Sequence, residues 1–453
     1  MGSPPDTSRR TLGTLLRWDI GGLAAVLFML CVAASCRAED KSRNLGDFVL
    51  GFNTHKVLAN DQPLLEGVGI WSLRVDLYRN PVSDDHGAVN TEHPVFPAIA
   101  NTPEAYHQPL VILGYGHRAF QNSGRPSTPE SRRAFVDYAL AGVGRLHERT
   151  RFFEVWNEWN VPGMGRTPLE EGTGRVEDYV TLLRETYTAL KKQFPDLFIL
   201  GGATGGIGAD EGYMVKAVNL GMLQWLDGLS IHPYFYGADG EKRLPEIAIA
   251  TRLGQLHDWL RADSVHGDVP LYVTELGWPT YGEPHGVSYE EQACFMVRSI
   301  LLFACEPQVK GVWLYEFRDG GTDPKDREHH FGVVKADGTP KPAFHALRSL
   351  IPLLRDARSL RRVANSAKDR VVTMVLTMKD GADIWAVWSV FPGEEWVMEN
   401  KGGRMIPVPF SLSGSRDVGI NSLTSRFVVG NEPFFLRSSR AGDGGIDAVE
   451  VHQ

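Results

Sequence analysis

The chain has 453 residues, 43% hydrophobic and 23% charged, enough for a barrel of ~250 residues plus an export segment and a further domain. Its 47 basic and 55 acidic residues give a formal net charge of −8. No basic stripe stands out, which argues against a nucleic-acid partner.

Arg9, Arg10 and Arg17 precede an uncharged, largely apolar run from Ile20 to Ser35. That run is short for a membrane span and has the length of an export signal's apolar region. Residues 1–38 therefore read as an export signal or membrane anchor. Cleavage after Ala38, lipidation of Cys36 in Ala33-Ala34-Ser35-Cys36, and an uncleaved anchor all stay open. Ser8-Arg9-Arg10-Thr11-Leu12 also resembles a twin-arginine signal. Each route takes the rest of the chain out of the cytoplasm, to a periplasmic location, free or membrane-attached. A lipid label on Cys36 would separate the routes.

From residue 39 to 355, strand-like runs alternate with helical segments. The runs start near Asp47, Gly69, Pro109, Phe152, Leu197, Gly228, Leu271 and Gly311. Before the fourth run, Phe135, Tyr138, Ala139, Gly142, Val143 and Leu146 share one helical face. After it, Val176, Tyr179, Val180, Leu183, Tyr187 and Leu190 do the same. Alternation of this kind means parallel strands with helical crossovers. Eight such units predict an α/β fold, a closed (β/α)₈ TIM barrel. No glycine-rich dinucleotide fingerprint follows the first strand, which counts against an open sheet. Cys294 and Cys305 fall in one helical segment roughly 16 Å apart, too far for a disulfide, and read as core residues.

The pattern changes around Arg355 to Asn365. Val372–Met378 and Ile384–Trp388 read as strands about a turn at Lys379-Asp380-Gly381. Short strands are expected near Pro407 to Leu412, Ser425 to Val429 and Pro433 to Leu436. Residues 356–453 thus form a C-terminal antiparallel β-sandwich, expected to brace the barrel rather than bind sugar.

Barrel chemistry gathers at the C-terminal ends of strands. Glu158 follows the apolar run ending Val155-Trp156-Asn157, and Glu275 ends Leu271-Tyr272-Val273-Thr274. A carboxylate buried at a strand end costs free energy unless something pairs or uses it. Two of them, on the fourth and seventh strands, supply what glycoside hydrolysis needs: one carboxyl donates a proton to the leaving oxygen, the other attacks or activates water.

Trp156-Asn157-Glu158 and Thr274-Glu275 resemble the acid/base and nucleophile motifs of retaining (β/α)₈ glycoside hydrolases, closest to family 39. Within it, the layout is similar to exported endoglycosidases encoded with bacterial exopolysaccharide biosynthesis systems. The resemblance spans about Asp47 to Leu350. It implies that Arg74 lies near the nucleophile, that Tyr234 hydrogen-bonds it, that His232 lines the site and that Asn157 holds the sugar 2-OH. Strand-end aromatics Trp278, Trp313 and Tyr315 are candidate sugar platforms. His117 and Arg118, after the third strand, and Asp319, after the eighth, are further subsite candidates.

The expected activity is endo-acting, retaining hydrolysis of β-glycosidic bonds in a polysaccharide, which the resemblance implies is a bacterial exopolysaccharide. An exo-acting enzyme such as a β-xylosidase, or a non-catalytic carbohydrate-binding barrel, are the alternatives. His329 and His330 are adjacent and match no ligand spacing, so no metal or other cofactor is expected. The protein is expected to be a monomer whose partner is its polysaccharide.

Overall fold

The eight apolar runs become eight parallel strands. The computed structural model describes residues 42–453 apart from 57, 104–107, 121–123, 163–173, 206–210, 262, 264, 283, 364–369, 395, 401–404, 409–425, 439–448 and 453. A two-residue strand, β1 (Arg43–Asn44), comes first. Then follow β2 (Val49–His55), β3 (Ser72–Tyr78), β4 (Leu110–Gly114) and β5 (Phe152–Val155). β6 (Phe198–Gly205), β7 (Gly228–His232), β8 (Leu271–Leu276) and β9 (Val309–Leu314) complete the set. Strands β2 to β9 close into a barrel, with β2 pairing to β9 from Val49↔Gly311 to Phe52↔Leu314.

A parallel strand in such a barrel is covered on both faces, so it reads as a continuous apolar run rather than an alternating one. Every residue of β4, β7 and β8 is buried accordingly. The crossover helix Pro129–Leu146 buries all six apolar-face residues anticipated for it, and its Thr128 N-cap accepts from the Ser131 backbone N–H. Helix Val176–Gln193 buries Val176, Tyr179, Val180, Leu183 and Leu190. Cys294 and Cys305 lie in helix Tyr289–Cys305, and both are free thiols.

Beyond the barrel, β10 (Ala357–Val363), β11 (Val371–Met378), β12 (Asp383–Ser389), β13 (Trp396–Asn400) and β14 (Met405–Pro407) follow. The last are β15 (Arg426–Val429), β16 (Phe434–Ser438) and β17 (Val449–His452). They form an antiparallel six-stranded sheet, β1-β10-β11-β12-β16-β14, and a three-stranded sheet, β15-β13-β17. Strands β1, β10, β13 and β17 were not anticipated. In β10 the buried residues Ala357, Leu360 and Val363 recur every third position, and a register shift between Ala357 and Ser359 hides the two-residue period. The strand expected at Pro407–Leu412 ends at Pro407, and residues 409–412 lie outside the described ones.

Buried polar contacts join this domain to the barrel. Arg298 of helix Tyr289–Cys305 makes a two-pronged ion pair with Glu246 and donates to the Val390 carbonyl. Trp388 of β12 donates its indole N–H to the same Glu246 at 2.7 Å. Arg43, beside β10, donates to the carbonyls of Ala304 and Glu306, each at 2.7 Å. Among the described residues no helix is long and apolar enough to cross a membrane. The leader, residues 1–38, lies outside them.

Candidate active site

The fourth barrel strand, β5, ends at Val155, and the chain then turns sharply. Trp156 (φ 66°) and Glu158 (φ 49°) both take left-handed backbone conformations, which are strained for side chains of this size. The Glu158 N–H donates to the Ala203 carbonyl at 2.7 Å, which pins the turn against β6. Gly205 at the end of β6 is needed there: a Cβ would sit 3.0 Å from Glu158 Oε1 and 2.3 Å from Val161. The turn aims the Glu158 carboxyl over the barrel mouth, towards Glu275 on β8.

A carboxylate oxygen of Glu158, a ring nitrogen of His232 and a carboxylate oxygen of Glu275 all lie within 4.8 Å of one another. His232 Nδ1 is 3.0 Å from Glu158 Oε1 and 3.5 Å from Glu275 Oε2. Its Nε2 is 3.0 Å from Thr274 Oγ1. Tyr234 donates its hydroxyl to Glu275 Oε2 at 2.9 Å. Burial, then the Glu275 charge, pushes that phenol well above its ordinary value, so it stays a donor. The two glutamates and His232 are a donor set that could hold a cation, although their facing atoms are already engaged by Arg74, Tyr234 and one another.

Arg74, 1% exposed, is the hub beneath the pair. It donates to Glu154, Asn53 Oδ1, Glu275 Oε1 and Asn157 Oδ1, each at 2.7 Å. Burial alone would weaken its charge, but Glu154, Glu275 and Asp76 outweigh that and hold the guanidinium above its ordinary value. Glu154, 0% exposed, also takes the Ser230 hydroxyl, and Ser230 Oγ lies 2.6 Å from Thr274 Oγ1. One network thus runs from Glu158 through His232, Thr274, Ser230, Glu154 and Arg74 to Glu275.

No family model and no curated protein matches the chain. Solved structures do. A family 39 glycoside hydrolase from the gut symbiont Bacteroides cellulosilyticus is 22% identical, with a TM-score of 0.68 over 88% of this chain and 81% of that one. The chain shares the fold of that structure. A monomeric β-xylosidase from Caulobacter crescentus is 18% identical, with a TM-score of 0.58 over 87% of this chain and 96% of that one. A GH5_18 protein of Bifidobacterium longum subsp. infantis is 16% identical, with a TM-score of 0.53 over 70% of this chain and 81% of that one.

On this fold, Glu158, Glu275, Asn157, Arg74, His232 and Tyr234 converge at the strand ends. Tyr315 joins them at the rim. Its hydroxyl is 3.3 Å from His55 Nε2, and its ring packs edge-on against Tyr234 and Phe331. The two tryptophans expected as platforms are elsewhere. Trp278, 1% exposed, packs against Phe235 and Phe295 in the core. Trp313, 0% exposed, fills the barrel interior beside Gly51, where a Cβ would lie 2.2 Å from its ring. A strand-end aromatic points into the mouth or into the layer behind it, and position along the chain does not say which. Asp319 is bound by Lys341 at 2.7 Å in a buried ion pair. His117 is fully buried beside Phe120, and Arg118 pairs on the surface with Asp85.

Sequence reasoning missed Glu154, Asn53, His55, Asp76 and Glu316. The signal was present: Arg74 and Asp76 interrupt the apolar run of β3 two residues apart, so they share a face. His55 Nδ1 is 2.9 Å from Asp76 Oδ2, and its Nε2 is 3.5 Å from Glu316 Oε2. Burial opposes the imidazolium, but the Asp76 hydrogen bond and charge, with Glu316 and Glu275, raise His55 to about 9. Burial raises the Glu316 carboxyl to about 8, against the pull of His55. Because this carboxyl sits above its ordinary 4.5, the stability linked to it is present below pH 4.5 and is lost as pH rises towards 8. Glu316→Gln is therefore expected to flatten the decline of Tm across that window. Parallel Tm–pH curves for the two proteins would refute this.

Proposed function

We propose that the protein is a retaining glycoside hydrolase that cleaves β-glycosidic bonds of a polysaccharide by double displacement. The observation that carries the reading is the approach of Glu158 and Glu275, with facing oxygens within 4.8 Å. Retaining enzymes hold their carboxyls ~5–5.5 Å apart, whereas inverting enzymes need ~6.5–9.5 Å to admit a water.

Glu275 is the nucleophile, since Arg74 and Tyr234 each hold one of its oxygens and fix it for attack on the anomeric carbon. Glu158 is the acid/base. It protonates the leaving oxygen, then takes a proton from the water that hydrolyses the glycosyl ester. Asn157, fixed through its Oδ1 by Arg74, presents its amide N–H groups for the sugar 2-OH.

Endo action on an exopolysaccharide is the finer reading. It is supported by the resemblance of the motifs and by a rim of aromatic rings. Its part-exposed rings are Tyr234 and Tyr236, 5.7 Å apart, with the buried Phe331 behind Tyr236. Such a rim suits several consecutive sugar units. The β-xylosidase among the structures of similar fold favours exo action as the second reading. Incubation with a panel of polysaccharides, with product lengths followed over time, tests both. Early mixed oligosaccharides are expected, and release of monosaccharide alone would overturn endo action.

A further inference from the structure

Arg79 and His117 follow β3 and β4 at the C-terminal rim, beside the site but outside the network described above. Arg79 is 1% exposed, yet its Nε and Nη2 meet no hydrogen-bond acceptor. No carboxylate of the described residues forms an ion pair with it. The guanidinium lies 4.9 Å from the centroid of the Phe120 ring and 5.8 Å from that of Tyr138.

His117 is fully buried against the other side of the same cluster, its ring 5.7 Å from Phe120. Its Nδ1 accepts from the Ala119 N–H at 3.2 Å, so in the neutral ring the proton is on Nε2. Burial, then the charges of Arg79 and Arg118, lowers its pKa, which keeps the ring neutral. Among the described residues, the Ser83 backbone is the only partner that His117 finds for its ring N–H, in poor geometry, and the Ser83 hydroxyl meets no acceptor. The Asp84 charge offsets part of the lowering at His117, while Asp84 Oδ1 accepts from the His86 and Ala88 N–H groups and Asp84 forms no ion pair with Arg79.

A buried guanidinium with two free donor nitrogens, packed on the same ring as a poorly paired imidazole, is costly unless a ligand uses it. Nε and Nη2 are the edge of a guanidinium that grips a planar carboxylate with two parallel bonds. The covering ring, Phe120, is only half-buried, and Gly87 opposite it has no side chain. Tyr78, next to Arg79, packs on Tyr115 at 5.5 Å, and Tyr115 donates to Asp76 beside the catalytic floor.

We infer that Arg79 and His117 form a subsite for the carboxylate of a uronic acid residue in the substrate, entered by displacement of the Phe120 ring. The choice of a sugar acid as the anion rests on the glycosidase reading. Isothermal titration of the full chain with methyl β-D-glucuronide, methyl β-D-glucoside and sodium sulfate tests it. The glucuronide is expected to bind about tenfold or more tighter than the glucoside or sulfate, through the charged two-pronged contact. Arg79→Met should erase that preference, and Arg79→Lys, which keeps the charge and is the gentler change to the fold, should reduce it. Equal binding of glucuronide and glucoside, sulfate binding as tight as glucuronide, or an undiminished preference in both variants would overturn the assignment. Binding is read here without turnover, so a wild-type protein inactive on aryl β-glycosides would strike the glycosidase reading and leave this result to be judged separately.

Discussion

Glu275→Gln is expected to lose essentially all turnover of an activated aryl β-glycoside, with no recovery on adding azide. The amide cannot attack the anomeric carbon, so the first step has no nucleophile. Glu158→Gln should behave differently. An activated leaving group needs little protonation, so the glycosyl ester on Glu275 still forms. The second step then stalls, because nothing deprotonates the incoming water; loss of such acid/base help costs ~10²–10⁴-fold. Azide needs no deprotonation and should restore turnover, giving the β-glycosyl azide. The geometry sets this asymmetry: Glu275 is held by Arg74 and Tyr234, whereas Glu158 meets His232 and stands half-buried at the mouth. A β-glycosyl azide formed by the Glu275 variant, or no rescue of the Glu158 variant, would reverse or remove the assigned roles.

Arg74→Met is expected to lower both stability and activity. A reading that gives Arg74 to the nucleophile alone predicts lost turnover in an intact barrel. The structure adds Glu154, fully buried and paired with Arg74 at 2.7 Å. Removing one partner of such a pair strands a buried charge and costs about 3–5 kcal/mol. Turnover should fall by about 10²-fold or more, since Glu275 and Asn157 both lose the group that positions them. The double variant Arg74→Met/Glu154→Gln separates the effects: it should regain much of the stability in urea melts and little of the activity. A single variant that melts and turns over like the wild type would show that Arg74 matters to neither.

The barrel was legible because its strands are mostly apolar runs of strand length, and the helices between keep one apolar face. The strand-end positions of Glu158 and Glu275 followed from the same pattern. Direction was not legible. Trp278 and Tyr315 each stand within a few residues of a barrel strand's end, yet one is swallowed by the layer of Phe235 and Phe295 while the other reaches the mouth. Glu154 was hidden because a charge within an apolar strand is informative only once its partner is known, and Arg74 lies on another strand. Strand β10 was missed because its bulge breaks the two-residue period and its arginines mask the buried positions. Strand β1 is too short to register as a pattern and exists through pairing with β10.

The measurement that tests the central claim most directly is the anomeric configuration of the first-formed product, followed by proton NMR during cleavage of an aryl β-glycoside. With the facing oxygens of Glu158 and Glu275 within 4.8 Å, the spacing is that of retaining enzymes, for which double displacement is expected. The predicted first product is the β-anomer, with the α-anomer growing only at the rate of mutarotation. An α-anomer formed first would contradict the assignment of Glu275 as nucleophile and, with it, the mechanism drawn from this site.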